Sequence, residues 1–226
     1  MNIDHNPYQC YANQELKWLP MDTENLYKRN LKVNYFLLEK FNWLNSNFTY
    51  KFNSQGFRCD EFTNSPSIVF LGCSITVGIG IPVETTWASL VSNQLNLSCY
   101  NLGIGGSSNN TAFRLAHIWL KKIKPKVVVF CQTYPERLEV FNENGIISNI
   151  ASDCGEFYNH WLSNENNSAL NQIKNRLAIQ QLCNSFDIKF VHTSVHNFEF
   201  IDQARDLAHP GITSNQKFSK LVLELI

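Results

Sequence analysis

The sequence predicts a three-layer α/β/α domain, and three observations predict it. Short apolar runs of strand length recur along the chain, stretches of helical periodicity lie between them, and the clearest runs show no polar alternation. Strands buried on both faces and separated by helices form a parallel sheet wound with helices on either side. The expected core is therefore a central parallel sheet of about five strands, in the flavodoxin-like manner.

Taken in order, Ile68–Leu71 is the first such strand. Gly72 breaks it, Cys73 and Ser74 follow at once, and the segment closes on Gly78 and Gly80. Thr85–Leu95 predicts a helix and Ser98–Leu102 a short strand. Asn109–Ile123 predicts a helix, with Phe113, Leu115, Ala116, Ile118, Leu120 and Ile123 among its apolar residues. Val127–Cys131 is the central strand, Ala169–Asn184 a helix, Ile188–Val191 a strand and Ser214–Leu225 a terminal helix. Residues 142–168, NENGIISNIASDCGEFYNHWLSNENNS, read as one long polar loop, and loops of that length are commonly functional covers or disordered. That makes 143–167 a candidate lid. Residues 1–62 differ in character, an aromatic-rich elaboration packed on a main domain of 63–226. Helix-like spacing runs from Leu31 to Phe41, and Phe48–Phe62 alternates aromatic and polar residues around Ser54–Gly56, which predicts a hairpin.

The chain has 226 residues, with Lys+Arg and Asp+Glu both 19 and a net charge of zero. That balance gives no basic footprint for nucleic acid and no attraction to an anionic membrane. The N-terminal aromatics without a basic stripe read as packing, not as a platform for stacking bases. Seven cysteines without a C-x-x-C pair read as small buried hydrophobes in a reducing compartment. No signal peptide is visible, and no apolar run approaches the roughly 20 residues that span a bilayer. The expectation is a soluble cytoplasmic protein of unspecified oligomeric state.

Three loops carry candidate chemistry. Ser74 stands after the first strand, where open α/β sheets present their ligand crevices, although by itself it reads as a helix cap. NLGIGGSSNN, Asn101 to Asn110, follows the second strand; Gly103, Gly105 and Gly106 allow close backbone approach, and the following helix start offers N–H donors. Alone, it is equally a tight turn, and it lacks the full dinucleotide fingerprint. RDLAHPG, Arg205 to Gly211, sets Asp206 three residues before His209, a spacing that brings carboxylate to imidazole and leaves Nε2 free. The plainer alternative is a capping Asp beside a solvated His. Jointly the three loops fall on one rim and supply a nucleophile, an anion-binding backbone and a His–Asp pair, the parts needed for acyl transfer. His192 and His196 invite a metal reading but lack carboxylate or thiolate company, and no metal or cofactor is expected. Cys73 is a rival nucleophile beside Ser74. Arg137 and Glu139 read as a salt bridge with each other.

The G-C-S block, the Gly block after the second strand and the Asp-x-x-His near the end together resemble the SGNH (GDSL-like) hydrolases. Thr86-Trp87 and the upstream N-S-x-G-F-R, Asn53 to Arg58, are also similar to elements of some members. The resemblance spans most of Asn53 to Ile226 and implies a serine esterase or acylhydrolase without metal or cofactor. It makes Ser74 the nucleophile, His209 the general base and then acid, and Asp206 its orienting partner, with the Ser74 and Gly106 N–H groups as oxyanion donors. It also turns the Cys73 side chain away from substrate. The implied substrate is a small-molecule, carbohydrate or lipid ester. One departure stands out: the family's third block carries a Gly-x-Asn whose side chain is a third donor, and here the strand runs into CQTYPERLE. Thr133, Gln132 and Asn109 are the candidates to replace it. The departure also supports an alternative, a weak or inactive ligand- or glycan-binding module on the same frame. A general-base imidazole works only when neutral, so hydrolysis is expected to rise through roughly pH 6–7 to a plateau.

Overall fold

A computed structural model describes residues 6–141, 147–150 and 164–226 of the chain. The chain opens with strand β1 (Glu15–Leu16), helices α1 (Glu24–Val33) and α2 (Tyr35–Lys40), and strand β2 (Tyr50–Lys51). There follow β3 (Ser67–Leu71), the single-turn helix α3 (Ser74–Val77), α4 (Trp87–Leu95), β4 (Ser98–Asn101), α5 (Asn109–Ile123) and β5 (Val127–Gln132). After these come β6 (Leu138–Phe141), β7 (Ile147–Ile150), α6 (Glu165–Ser185), β8 (Lys189–Ser194) and α7 (Ile212–Leu225). Strands β4, β3, β5 and β8 lie side by side in that order, all parallel. The order reverses between β3 and β5, which opens a crevice at their carboxyl ends.

Strand alternation divides the core into two layers. Val69 and Leu71 of β3, with Val128 and Phe130 of β5, face one side, where they meet Leu115 and Leu120 of α5 and Ile179 and Cys183 of α6. Ile68, Phe70, Val127, Val129 and Cys131 face the other side, against Trp87 and Val91 of α4 and Phe218 and Val222 of α7. Trp87 lies edge-on to both Phe70 and Phe218, at 5.0 and 5.2 Å between centroids. All five residues of β3 are buried, and each large apolar side chain so placed contributes about 1.5–3 kcal/mol. Thr86 caps α4 by accepting the Ser89 N–H, and Ser108 with Thr111 forms a capping box at the start of α5.

Several expectations are corrected. The three-layer α/β/α frame stands; among the described residues its central sheet has four strands, and the other short strands form two separate two-stranded ribbons. The loop predicted over 142–168 contains β7, which pairs antiparallel with β6, and the start of α6, four residues before the expected Ala169. Most of the candidate lid at 143–167 lies outside the described residues. The expected hairpin over Phe48–Phe62 keeps its turn, because Asn53 Oδ1 accepts the N–H groups of Gln55 and Phe57. The strand partner of β2 is β1, upstream, since beyond Gly56 the chain leaves the sheet direction to bury Arg58. The helix-like stretch Leu31–Phe41 is two helices broken at Asn34. No helix of the described residues is long and apolar enough to cross a membrane.

Candidate active site

Gly72 ends β3 because nothing larger fits: a Cβ there would lie 2.2 Å from Thr76 Oγ1 and 3.0 Å from the Cys131 carbonyl. The chain turns directly into α3, so Ser74 is a first-turn residue whose own N–H has no helical acceptor. Beyond it, the amides of Thr76, Val77, Gly78 and Ile79 all bond back to Cys73 or Ser74. Ser74 is 5% exposed, and Cys73 turns into the apolar layer with Phe70 and Trp87.

The glycine loop after β4 permits a complete accounting of its N–H groups. Gly103 donates to Asn101 Oδ1, Ile104 to the Gly72 carbonyl, and Gly105 to the Tyr8 hydroxyl at 2.8 Å. Ser107 donates to Ile104 and Ser108 to Thr111. Among the described residues, Gly106 N–H alone in this run has no acceptor. Gly106 has φ of +71°, and a Cβ added to it would meet nothing within 4 Å, so its face is open. Ser107 Oγ donates to the Gly72 carbonyl and ties this loop to the one bearing Ser74.

The third loop presents His209, 6% exposed, with Nδ1 2.5 Å from Asp206 Oδ2. Asp206 Oδ1 accepts the N–H groups of Ala208 and His209, both at 3.0 Å, so the carboxylate is oriented by its own turn. That pairing assigns a proton to Nδ1 and leaves Nε2 as the acceptor. Behind His209, Asp202 caps α7, accepting the N–H groups of Thr213 and Ser214 at 2.9 and 2.8 Å. Burial alone would raise the Asp202 pKa, but these bonds outweigh it and hold the carboxyl below its ordinary value. No described residue hydrogen-bonds Ser74 Oγ or His209 Nε2, so the two are not joined directly.

The N-terminal residues hold the Ser74 loop and the His209 loop together. Arg58 Nη1 donates to the Val77 and Gly78 carbonyls and Nη2 to Ile81, at 3.1, 2.6 and 2.8 Å. Its guanidinium stacks 4.4 Å from the Tyr50 ring centroid, and burial lowers its pKa to about 10. Tyr50 donates its hydroxyl to Asp22 and accepts the Gly80 N–H. Asp22 in turn pairs with Arg205, both side chains 1% exposed, and the Arg205 guanidinium lies between the rings of Trp18 and Phe48. Arg205 N–H donates to the Gly80 carbonyl, and Gly80, at φ +79°, leaves no room for a Cβ beside Ala204.

Of the residues proposed to replace the missing third donor, Asn109 has a side-chain N–H engaged, whereas Gln132 and Thr133 act as acceptors in their described side-chain bonds. Asn109 binds both the N–H and the carbonyl of Thr133, joining the glycine loop to the end of β5. Gln132 Oε1 accepts from His192 Nε2 at 2.8 Å, while Thr133 Oγ1 accepts from Arg137. The expected Arg137–Glu139 pair does not form. Glu139 is held bidentate by Arg114 of α5, at 2.7 and 3.0 Å, because β6 lies against that helix. His192 is held low in pKa by burial and then by Arg176, and His196 packs edge-on to Tyr134. Among the described residues no three His, Cys, Asp or Glu side chains could hold one metal ion. Sequence reasoning missed Asp22, Tyr50 and Arg205, whose pairings lie too far apart in the chain to leave a local pattern.

No family model matches this sequence, and no curated protein matches it. Solved structures do. TesA is 13% identical with a TM-score of 0.45, over 70% of this chain and 94% of its own. A G-D-S-L family lipolytic protein from Desulfitobacterium hafniense is 10% identical at 0.42, over 71% and 99%. The esterase EstA from Pseudoalteromonas sp. is 14% identical at 0.37, over 71% and 74%. Similarity at this level carries no information about the activity or substrate of this chain. What it amounts to is a distant likeness of fold.

Proposed function

We propose that the protein is a serine ester hydrolase of the SGNH (GDSL-like) type, working through Ser74, His209 and Asp206. The observation that carries this reading is the His209–Asp206 contact on the same rim as Ser74, with both loops tied together at Gly80. In the proposed reaction Ser74 Oγ attacks the ester carbonyl and its proton passes to His209 Nε2. The developing oxyanion is taken by the Ser74 and Gly106 N–H groups, which have no other described acceptor. Collapse expels the alcohol with the proton from His209, and water then releases the acid by the same steps in reverse order. Asp206 keeps its negative charge throughout and stabilises the imidazolium.

A second reading, a binding module without turnover, is favoured by one observation: Ser74 Oγ and His209 Nε2 are not hydrogen-bonded to each other. Such bonds often tighten only with substrate in place. Assay of a short-chain aryl ester with wild type and Ser74→Ala separates the two. Loss of kcat by about a thousandfold or more supports the hydrolase, and equal trace rates in both proteins support the binder.

A further inference from the structure

We propose that Arg137 is the substrate-anion site of this crevice, so that the preferred ester carries a carboxylate or phosphate group near the scissile bond. The proposal rests on the hydrolase reading for its substrate and on the geometry of Arg137 for its site. Arg137 follows β5, and Ser74 follows β3, so the two stand on either side of the strand-order reversal where open α/β sheets bind ligands. Arg137 Nη1 donates to Thr133 Oγ1 at 3.2 Å and lies 3.5 Å from the carbonyl of Ser107, the residue after the open Gly106. The guanidinium carbon lies over the Tyr134 ring, 4.9 Å from its centroid.

No carboxylate neutralises it among the described residues. Glu139, two residues on, has both oxygens bound by Arg114. The contrast with the three buried arginines is plain. Arg205 has Asp22, Arg114 has Glu139, and Arg58 has three carbonyls, whereas Nε and Nη2 of Arg137 have no described acceptor. A planar fork with two donors that no described residue takes up matches an oxyanion group bidentately. The site lies at the block where an amide donor is missing from the resembled pattern, so the position is rebuilt around a charge.

The test compares an aryl acetate with the corresponding aryl hemisuccinate for wild type, Arg137→Gln and Arg137→Lys. In parallel, calorimetry measures binding of succinate and of inorganic phosphate to the same three proteins. The expected result is a wild-type preference for the hemisuccinate that falls about tenfold or more in Arg137→Gln and recovers in part in Arg137→Lys. Binding of at least one anion should weaken by a similar factor, and whichever anion responds identifies the source of the charge. An unchanged preference with unchanged anion binding overturns the assignment while Ser74-dependent turnover leaves the hydrolase standing. Arg137-dependent anion binding without any ester turnover does the reverse, and absence of binding by both anions also overturns the assignment.

Discussion

The loops after β3 and after β5 leave the sheet side by side, yet they are held in opposite ways. In the first, the amides from Thr76 to Ile81 all have acceptors, and the carbonyls of Val77, Gly78 and Ile81 are gripped by one buried arginine. In the second, Thr133 is pinned by Asn109, but Arg137 beyond it has donors that no described residue accepts. A nucleophile must be presented within a few tenths of an ångström, and a network of satisfied polar groups delivers that. A residue that selects among substrates has to meet a group that is absent from the free protein, so its partner is left out of the fold. On the proposed reading, the difference separates a part of the crevice built for geometry from a part built for recognition.

That separation can be attacked where it is strongest. Asp22→Leu leaves Arg205 buried and unpaired, and should lower unfolding free energy by about 3–5 kcal/mol in chemical denaturation. Adding Arg205→Met should recover much of that stability. Gly80→Ala is expected next in size. It demands φ of +79° and puts a Cβ 2.7 Å from that of Ala204 and 3.3 Å from Asp206 Oδ1. Its cost is about 1–3 kcal/mol, with kcat falling more than KM changes because the Asp206 turn is displaced. Equal effects on both constants would mean that the contact serves packing only. The smallest effect concerns Asp202. Its folded pKa lies below the unfolded value of about 3.9, so its contribution is complete above that value and is lost as pH falls through the folded one. Melting curves of Asp202→Asn should therefore be flatter than wild type below about pH 4 and should differ little in shape near neutrality.

The layered frame was legible because its strands are apolar on both faces, and a run such as Ile68–Leu71 or Val127–Cys131 has few other uses. Helix α5 was legible to its ends because Ser108 and Thr111 cap it and its apolar residues keep helical spacing. The ribbons were not, since strands of two to four residues carry too little periodicity to announce a partner. Within the candidate site, Asp206 and His209 could be paired from a three-residue spacing, and the structure brings them to 2.5 Å. Arg114 and Glu139, 25 residues apart, could not, and a shorter-range pair with Arg137 was inferred instead. The gap in the third block was visible as a missing Asn. What stands there required the contacts that Asn109, Gln132 and Thr133 make, which no local pattern announces.

Asp22 and Arg205 are separated by 183 residues. During synthesis the acidic partner leaves the ribosome 183 residues ahead of its cation. The cradle of Trp18, Phe48 and Tyr50 thus cannot close until Arg205 arrives, and until then the aspartate has no cation. A chain cut before Arg205 would keep the strands of the sheet but lose this clasp, so the pair closes the fold across a long span of chain.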